Sequence, residues 1–165
     1  MTIGRLLTHL LMPPWRVRRV FTAAGLRAIE TTISDCESTH TGEIRIAIEH
    51  ALHPLAVLRK QTARERAIEV FSQLRVWDTA HNNGVLIYLL LADRSVEIVA
   101  DRGIHTEVGQ EPWEQICRDM EAAFRTGNYQ GGVIAGIRSI GAHLSRHYPA
   151  GRQNDNELPD APVLV

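Results

Sequence analysis

Residues 78–104, DTAHNNGVLIYLLLADRSVEIVADRGI, decide the fold. Val85 to Ala92 is a continuous apolar run, too short to cross a bilayer and bounded by Asn82-Asn83-Gly84 and Asp93-Arg94-Ser95. Such a run predicts a central strand buried on both faces. From Ser95 to Asp101 the pattern changes to a period of two, with Val96, Ile98 and Ala100 between Ser95, Glu97, Val99 and Asp101. The short polar link makes the second strand an antiparallel neighbour of the first. The start of one strand then lies beside the end of the other. Asp78, Asn82 and Asn83 are therefore expected to meet Asp101, Arg102 and Gly103 at one rim of the sheet.

Upstream, Ile44, Ile46 and Ile48 alternate with Glu43, Arg45, Ala47 and Glu49, which predicts a strand with one dry face and one polar face. His50 to Leu58, which contains Pro54, reads as a connection. Thr62-Ala63-Arg64-Glu65 matches a capping box at a helix start. Strand, helix and central strand make a βαβ unit, so the first two strands should be parallel. Before it, Thr22 is a candidate N-cap, with Leu26, Ile29 and Ile33 at helical spacing.

After the hairpin, His105 to Gln110 reads as a polar loop. Glu111-Pro112 opens a helix carrying Trp113, Ile116, Met120 and Phe124, and Thr126-Gly127 stops it. Asn128 caps a last helix striped by Val133, Ile137, Ile140 and Leu144. Its Gly131, Gly132, Gly136 and Gly141 lower helix propensity, which close packing or a bend must offset. The expected architecture is an α/β three-layer sandwich: a mixed sheet in the order β-α-β-β-α-α, preceded by an N-terminal helix. Residues 1–21 form an arm, 22–149 the single domain and 150–165 a disordered tail.

Composition narrows the function. The chain has 165 residues, 44% hydrophobic and 22% charged, with a net charge of −1, which fits one soluble domain and not a general nucleic-acid binder. Cys36 and Cys117 lie in no CxxC or CxxH pattern and read as reduced, mostly buried thiols. No signal peptide or transmembrane segment is predicted, so the expected location is the cytoplasm, at most peripheral to a membrane. In the arm, Trp15 with Arg16, Arg18 and Arg19 suits an anionic membrane surface, while packing on its own domain or on a second copy is the simpler use of its short apolar patch. The oligomeric state is not encoded in any recognisable pattern.

The acidic and amide side chains of the rim carry the functional expectation. Asp78, Asn82, Asn83 and Asp101, with Glu43 at the start of its strand, are oxygen donors of the kind that hold calcium or magnesium. The same residues also suit plain turn chemistry: Asn83-Gly84 is a common turn pair, and Asp101 can pair with Arg102. His50 with His53, and His143 with His147, lack a third ligand and read as surface or capping histidines. Arg64 and Arg66 read as solvated helix charges.

Val70 to Ile104, together with Gly42-Glu43-Ile44, Asn83-Gly84-Val85-Leu86, Trp113 and the ending His147-Tyr148-Pro149, resembles the TPM-domain family from about Thr41 to Pro149. The resemblance implies the same three-layer fold. It also implies calcium binding, described for members, and an acid phosphatase activity, assigned to a plant thylakoid relative. On that basis Asp78 and Asp101 would hold a cation and Arg102 would face a phosphate, making Asp78, Asp101 and Arg102 the catalytic candidates. No Cys-x5-Arg loop or acylphosphate motif accompanies them. Many relatives carry a C-terminal membrane span, which this sequence lacks, and bacterial relatives are often encoded beside LemA-like membrane proteins. The leading expectation is a module that binds a divalent cation at its acidic edge and works through such a partner in envelope or membrane-complex maintenance. The alternative is a metal-assisted phosphomonoesterase.

Overall fold

The computed structural model describes residues 2–151 and 154–165. In chain order the elements are α1 (Thr2–Leu11), α2 (Trp15–Val20), α3 (Ala23–Glu37), β1 (Glu43–Glu49), α4 (Pro54–Leu58), α5 (Ala63–Gln73), β2 (Gly84–Leu90), β3 (Ser95–Ala100), α6 (Arg102–Val108), α7 (Gln110–Arg125), α8 (Tyr129–His147) and β4 (Val163–Leu164). The strands form one mixed sheet in the order β3-β2-β1-β4. β1 and β2 are parallel, with Ile44 beside Val85 and Ile48 beside Leu89. β2 and β3 are antiparallel, with Ile87 beside Ile98.

Two-residue alternation divides the core into two layers. Ile44, Ile46, Val85, Ile87 and Ile98 face α3, α7 and α8, where Ile33, Met120 and Ile137 meet them. Ala47, Leu86, Tyr88 and Val99 face the other way, toward Ala67 and Val70 of α5 and Val57 of α4. Every residue of β2 is buried, as an apolar strand covered on both faces must be. The three-layer α/β arrangement thus follows from the strand patterns.

Local signals set the helix ends. Thr22 Oγ1 accepts from Gly25 N, the Thr62–Glu65 capping box is complete, and Asn128 Oδ1 accepts from Gly131 N. Gly127, at φ 81°, closes α7. The glycines of α8 are explained by close packing: a Cβ on Gly132 would lie 2.9 Å from Ala123 Cβ of α7, one on Gly136 would meet Met120 Sδ, and one on Gly141 would meet Cys36 Sγ of α3.

Several expectations require correction. The arm does pack on its own domain, but through His9, Val17 and Phe21, while Leu7, Leu10 and Leu11 of its apolar patch are exposed. The connection before α5 contains α4, with Pro54 at its start and His53 Nδ1 accepting from Leu55 N. Residues 105–110 are not a polar loop, because Asp101 caps α6 there and Gly109, at φ 82°, ends it. The polar face of β1 is buried as well. Arg66 is not a solvated charge: its Nε and Nη2 donate to the Glu49 carboxylate at 2.9 and 3.2 Å, and Tyr88 Oη donates to the same group at 2.6 Å. Arg64 Nη1 lies 3.7 Å from Glu97 Oε2.

The disordered tail is also corrected for residues 154–165; Arg152 and Gln153, and Met1 of the arm, lie outside the described residues. Val163 and Leu164 pair in parallel with Ala47 and Ile48, and Val165 N donates to Ile48 O at 3.0 Å. Arg45 donates to the Pro159 and Ala161 carbonyls. An unpaired edge of β1 is thereby covered, and Leu158 and Val165 pack on the α5-side core.

Candidate functional site

The rim lies where β1 and β2 begin and β3 ends. Asp101 N donates to Gly84 O at 2.8 Å, which extends the β2–β3 ladder by one step. Ile104 N, inside α6, donates to Asn82 O at 3.3 Å. Asn82 sits at φ 51°, a left-handed conformation that asparagine tolerates better than most residues. A Cβ on Gly103 would collide with Asn82 O and lie 2.9 Å from Tyr148 Oη, so this position needs glycine for α6 to approach.

Asn83 is fully buried. Its N donates to Thr79 Oγ1 at 3.2 Å and its Nδ2 to Thr41 Oγ1 at 3.3 Å, while its Oδ1 has no partner among the described residues. Asp101 Oδ1 accepts from Arg102 N at 2.7 Å as the cap of α6, and its Oδ2 is also buried without a partner. Arg102 is exposed at the first turn of α6. The backbone of Asn82, Asn83, Asp101 and Arg102 thus lies along this rim.

Asp78 and Glu43 have other partners. Asp78 is exposed, and its Oδ2 accepts from Arg75 Nη2 at 2.6 Å; the Arg75 guanidinium also stands 5.7 Å from the centre of the Trp77 ring. Glu43 is 2% exposed, and its two oxygens accept from Glu157 N and Leu158 N, each at 3.1 Å. Burial pushes the Glu43 carboxyl up to about 7 against the pull of those two N–H groups, with Glu157 and Asp160 adding to the rise. Among the described residues, no group of three or more His, Cys, Asp or Glu side chains is gathered as a metal cluster.

A family model described as the TPM domain matches residues 17–143. The chain belongs to the TPM-domain family. This TPM domain is similar to the NMR structure of BA42 protein from the psychrophilic bacterium Bizionia argentinensis, with 30% identity and a TM-score of 0.78 over 88% of this chain and 95% of that one. It also shares its fold with the N-terminal domain of a protein from P. gingivalis, at 17% identity and a TM-score of 0.63 over 86% and 95% of the two chains. No curated protein matches it.

The C-terminal segment brings the TPM domain rim residues that its own composition concealed. Thr41, Ala80, His81, Asn154, Asp155 and Glu157 line a shallow cleft of about 220 Å³. Glu157 accepts there from Ala80 N at 2.9 Å. Asn154 Nδ2 donates to the Glu37 and His40 carbonyls, each at 2.8 Å, where α3 ends. A second cleft of about 180 Å³ holds Glu37, Glu43, Asp155 and Asp160. Glu37 Oε1 accepts from Ile44 N at 2.7 Å, and burial pushes its carboxyl up to about 9, with Glu43 and Asp160 reinforcing the shift. The Val163-Leu164-Val165 ending was the available strand signal.

Of the two histidine pairs, His53 caps α4, and His143 and His147 each meet another side chain. His143 meets the Trp113 ring edge-on at 5.5 Å, and His147 Nδ1 lies 3.6 Å from Glu107 Oε2. His40 is fully buried, and burial lowers its imidazole to about 4. The rim therefore offers carboxylate, amide, hydroxyl and carbonyl oxygens, which suit a hard cation better than a soft one.

Proposed function

We propose that this TPM domain binds calcium or magnesium at the Asn83–Asp101 rim and that the loaded rim engages a protein partner. The supporting observation is that two buried oxygen acceptors along this rim, Asn83 Oδ1 and Asp101 Oδ2, each have no partner among the described residues. A buried acceptor without a donor costs free energy, and a cation offsets that cost without requiring a hydrogen. Asn82, Thr41 and water would complete an oxygen shell. Arg102 stands at the mouth, where it can take an acidic group of the partner. By family resemblance the partner is a membrane-associated, LemA-like protein, and the module acts in the cytoplasm in membrane-complex maintenance.

Thermal unfolding with added calcium or magnesium tests this reading. An ion present at ten times its dissociation constant adds about 1.4 kcal/mol, which for a domain of this size raises Tm by roughly 3–5 °C. Asp101→Asn should abolish the rise. An unchanged Tm at millimolar concentrations of both ions would contradict the proposal. Cation-dependent hydrolysis of an aryl phosphate, lost in the same variant, would favour the phosphomonoesterase alternative.

A further inference from the structure

α1 is fastened to the domain by its polar side. Arg5 donates to the Asp93 carboxylate from Nε at 3.1 Å and Nη2 at 2.7 Å, and from Nη1 to Gln61 O at 2.8 Å. His9, one turn later and 3% exposed, places Nε2 2.9 Å from Asp93 Oδ1 and accepts from Leu52 N at Nδ1. Ile3, Leu7, Leu10 and Leu11 form the opposite stripe and are 76%, 50%, 61% and 75% exposed. A helix lying on a soluble domain ordinarily turns its apolar stripe inward and its charges outward. Here Arg5 and His9 face inward beside Leu6, the one leucine of α1 that packs on the α5-side core, and the rest of the apolar stripe faces out.

The helix packed beside α1 repeats the theme. α4 contacts α1 and leaves Leu55 and Leu58 more than half exposed, and Trp15 at the start of α2 is 59% exposed. Cations predominate around these residues, although Glu65 and Glu69 share a cleft with Leu55 and Arg59. Residues 1–29 contain five arginines and no Asp or Glu, in a chain whose net charge is −1. Arg59 and Lys60 directly follow α4. Arg16, Arg18, Arg19, Arg59 and Lys60 are exposed. Trp15, Arg16 and Arg19 share one open cleft with Tyr129.

We infer that α1, α2 and α4 form an interfacial patch that docks the domain on an anionic lipid surface. Exposed leucines and Trp15 enter the boundary between headgroups and acyl chains, while the arginines and Lys60 meet lipid phosphates. Among the described residues no helix is long and apolar enough to cross a membrane, so the attachment is peripheral. A second copy fits the patch less well, because a two-fold interface would set one arginine cluster against its equal. The inference does not depend on cation binding at the rim.

Flotation of the full chain in EDTA with phosphatidylcholine vesicles, and with vesicles mixed with phosphatidylglycerol, tests it. Wild type should float with the anionic vesicles alone. Arg16→Glu/Arg18→Glu/Arg19→Glu should weaken binding on the order of a hundredfold, and Leu7→Glu/Leu11→Glu should remove it. Both variants alter only exposed side chains, so their melting curves should match wild type. Absence of flotation by folded wild type, or unchanged flotation of both variants, would overturn the inference. So would a dimer, dissociated by Leu7→Glu/Leu11→Glu, that binds no vesicles.

Discussion

Asp101 N donates to Gly84 O at 2.8 Å, so the residue that caps α6 is fixed beside the first residue of β2. Its two carboxylate oxygens differ: Oδ1 holds the helix start, while Oδ2 is buried with no partner among the described residues. The two are separable by substitution. Asp101→Ala should cost about 1 kcal/mol through the lost cap, whereas Asp101→Asn, an equally good cap, should stay within ~0.5 kcal/mol of wild type. Urea unfolding of both variants checks this, and a large loss in Asp101→Asn would mean that the free oxygen is structural.

Glu49, Arg66 and Tyr88 form a largely buried polar cluster on the α5 side of the sheet. Glu49 is 7% exposed, so removing its cation leaves an uncompensated carboxylate. Arg66→Ala should cost roughly 2–4 kcal/mol, and Tyr88→Phe about 1–2 kcal/mol through one lost hydrogen bond to a charged group. Denaturant unfolding of each variant and the double variant measures the coupling. Additive losses would show that Glu49 does not join the two.

Glu37 and Glu43 give the stability profile a definite sign. Burial holds their folded-state carboxyls at about 9 and about 7, above the ordinary carboxyl value of 4.5. The folded chain therefore keeps protons that the unfolded chain has released, and stability falls as pH rises from 4.5 through 7 and toward 9. Buried His40, lowered to about 4, acts in the opposite direction between 4 and 6.5. The decline should consequently be clearest above pH 6.5. Glu37→Gln should flatten it and make the protein more stable than wild type at pH 8.5, as read by unfolding across the pH series.

The glycines of α8 differ in what they touch. Gly132 faces Ala123 Cβ, which cannot rotate away, while Gly136 faces the Met120 thioether, which can. Gly132→Ala should lose ~1–3 kcal/mol to overpacking, and Gly136→Ala should be near neutral because helix propensity returns up to about 1 kcal/mol. Thermal melts of the two variants decide whether helix packing or propensity dominates along α8.

The sheet was legible because its signals are local and periodic: Ile44, Ile46 and Ile48 on one face of β1, and an unbroken apolar β2. Thr22, Thr62 and Asn128 disclosed helix starts for the same reason. At the rim, the backbone adjacency of Asn83-Gly84 and Asp101 was legible from hairpin geometry alone. Asp78 was not, because Arg75, three residues earlier, reaches its carboxylate first. Glu43 was not, because its partners, Glu157 N and Leu158 N, come from a polar segment whose only fold signal is its last three residues. The same segment hid the second cleft, which Asp155 and Asp160 help to line. α1 misled differently: Leu7, Leu10 and Leu11 look like core until Arg5 and His9 are seen turned toward Asp93.

Backbone amide NMR during calcium titration addresses the rim most directly. The proposed site predicts saturable shifts centred on Asn82, Asn83, Gly84, Arg102 and Gly103, absent in Asp101→Asn. Saturable shifts centred instead on Glu37, Glu43 and Asp160, or no shifts at all, would contradict cation binding between Asn83 and Asp101.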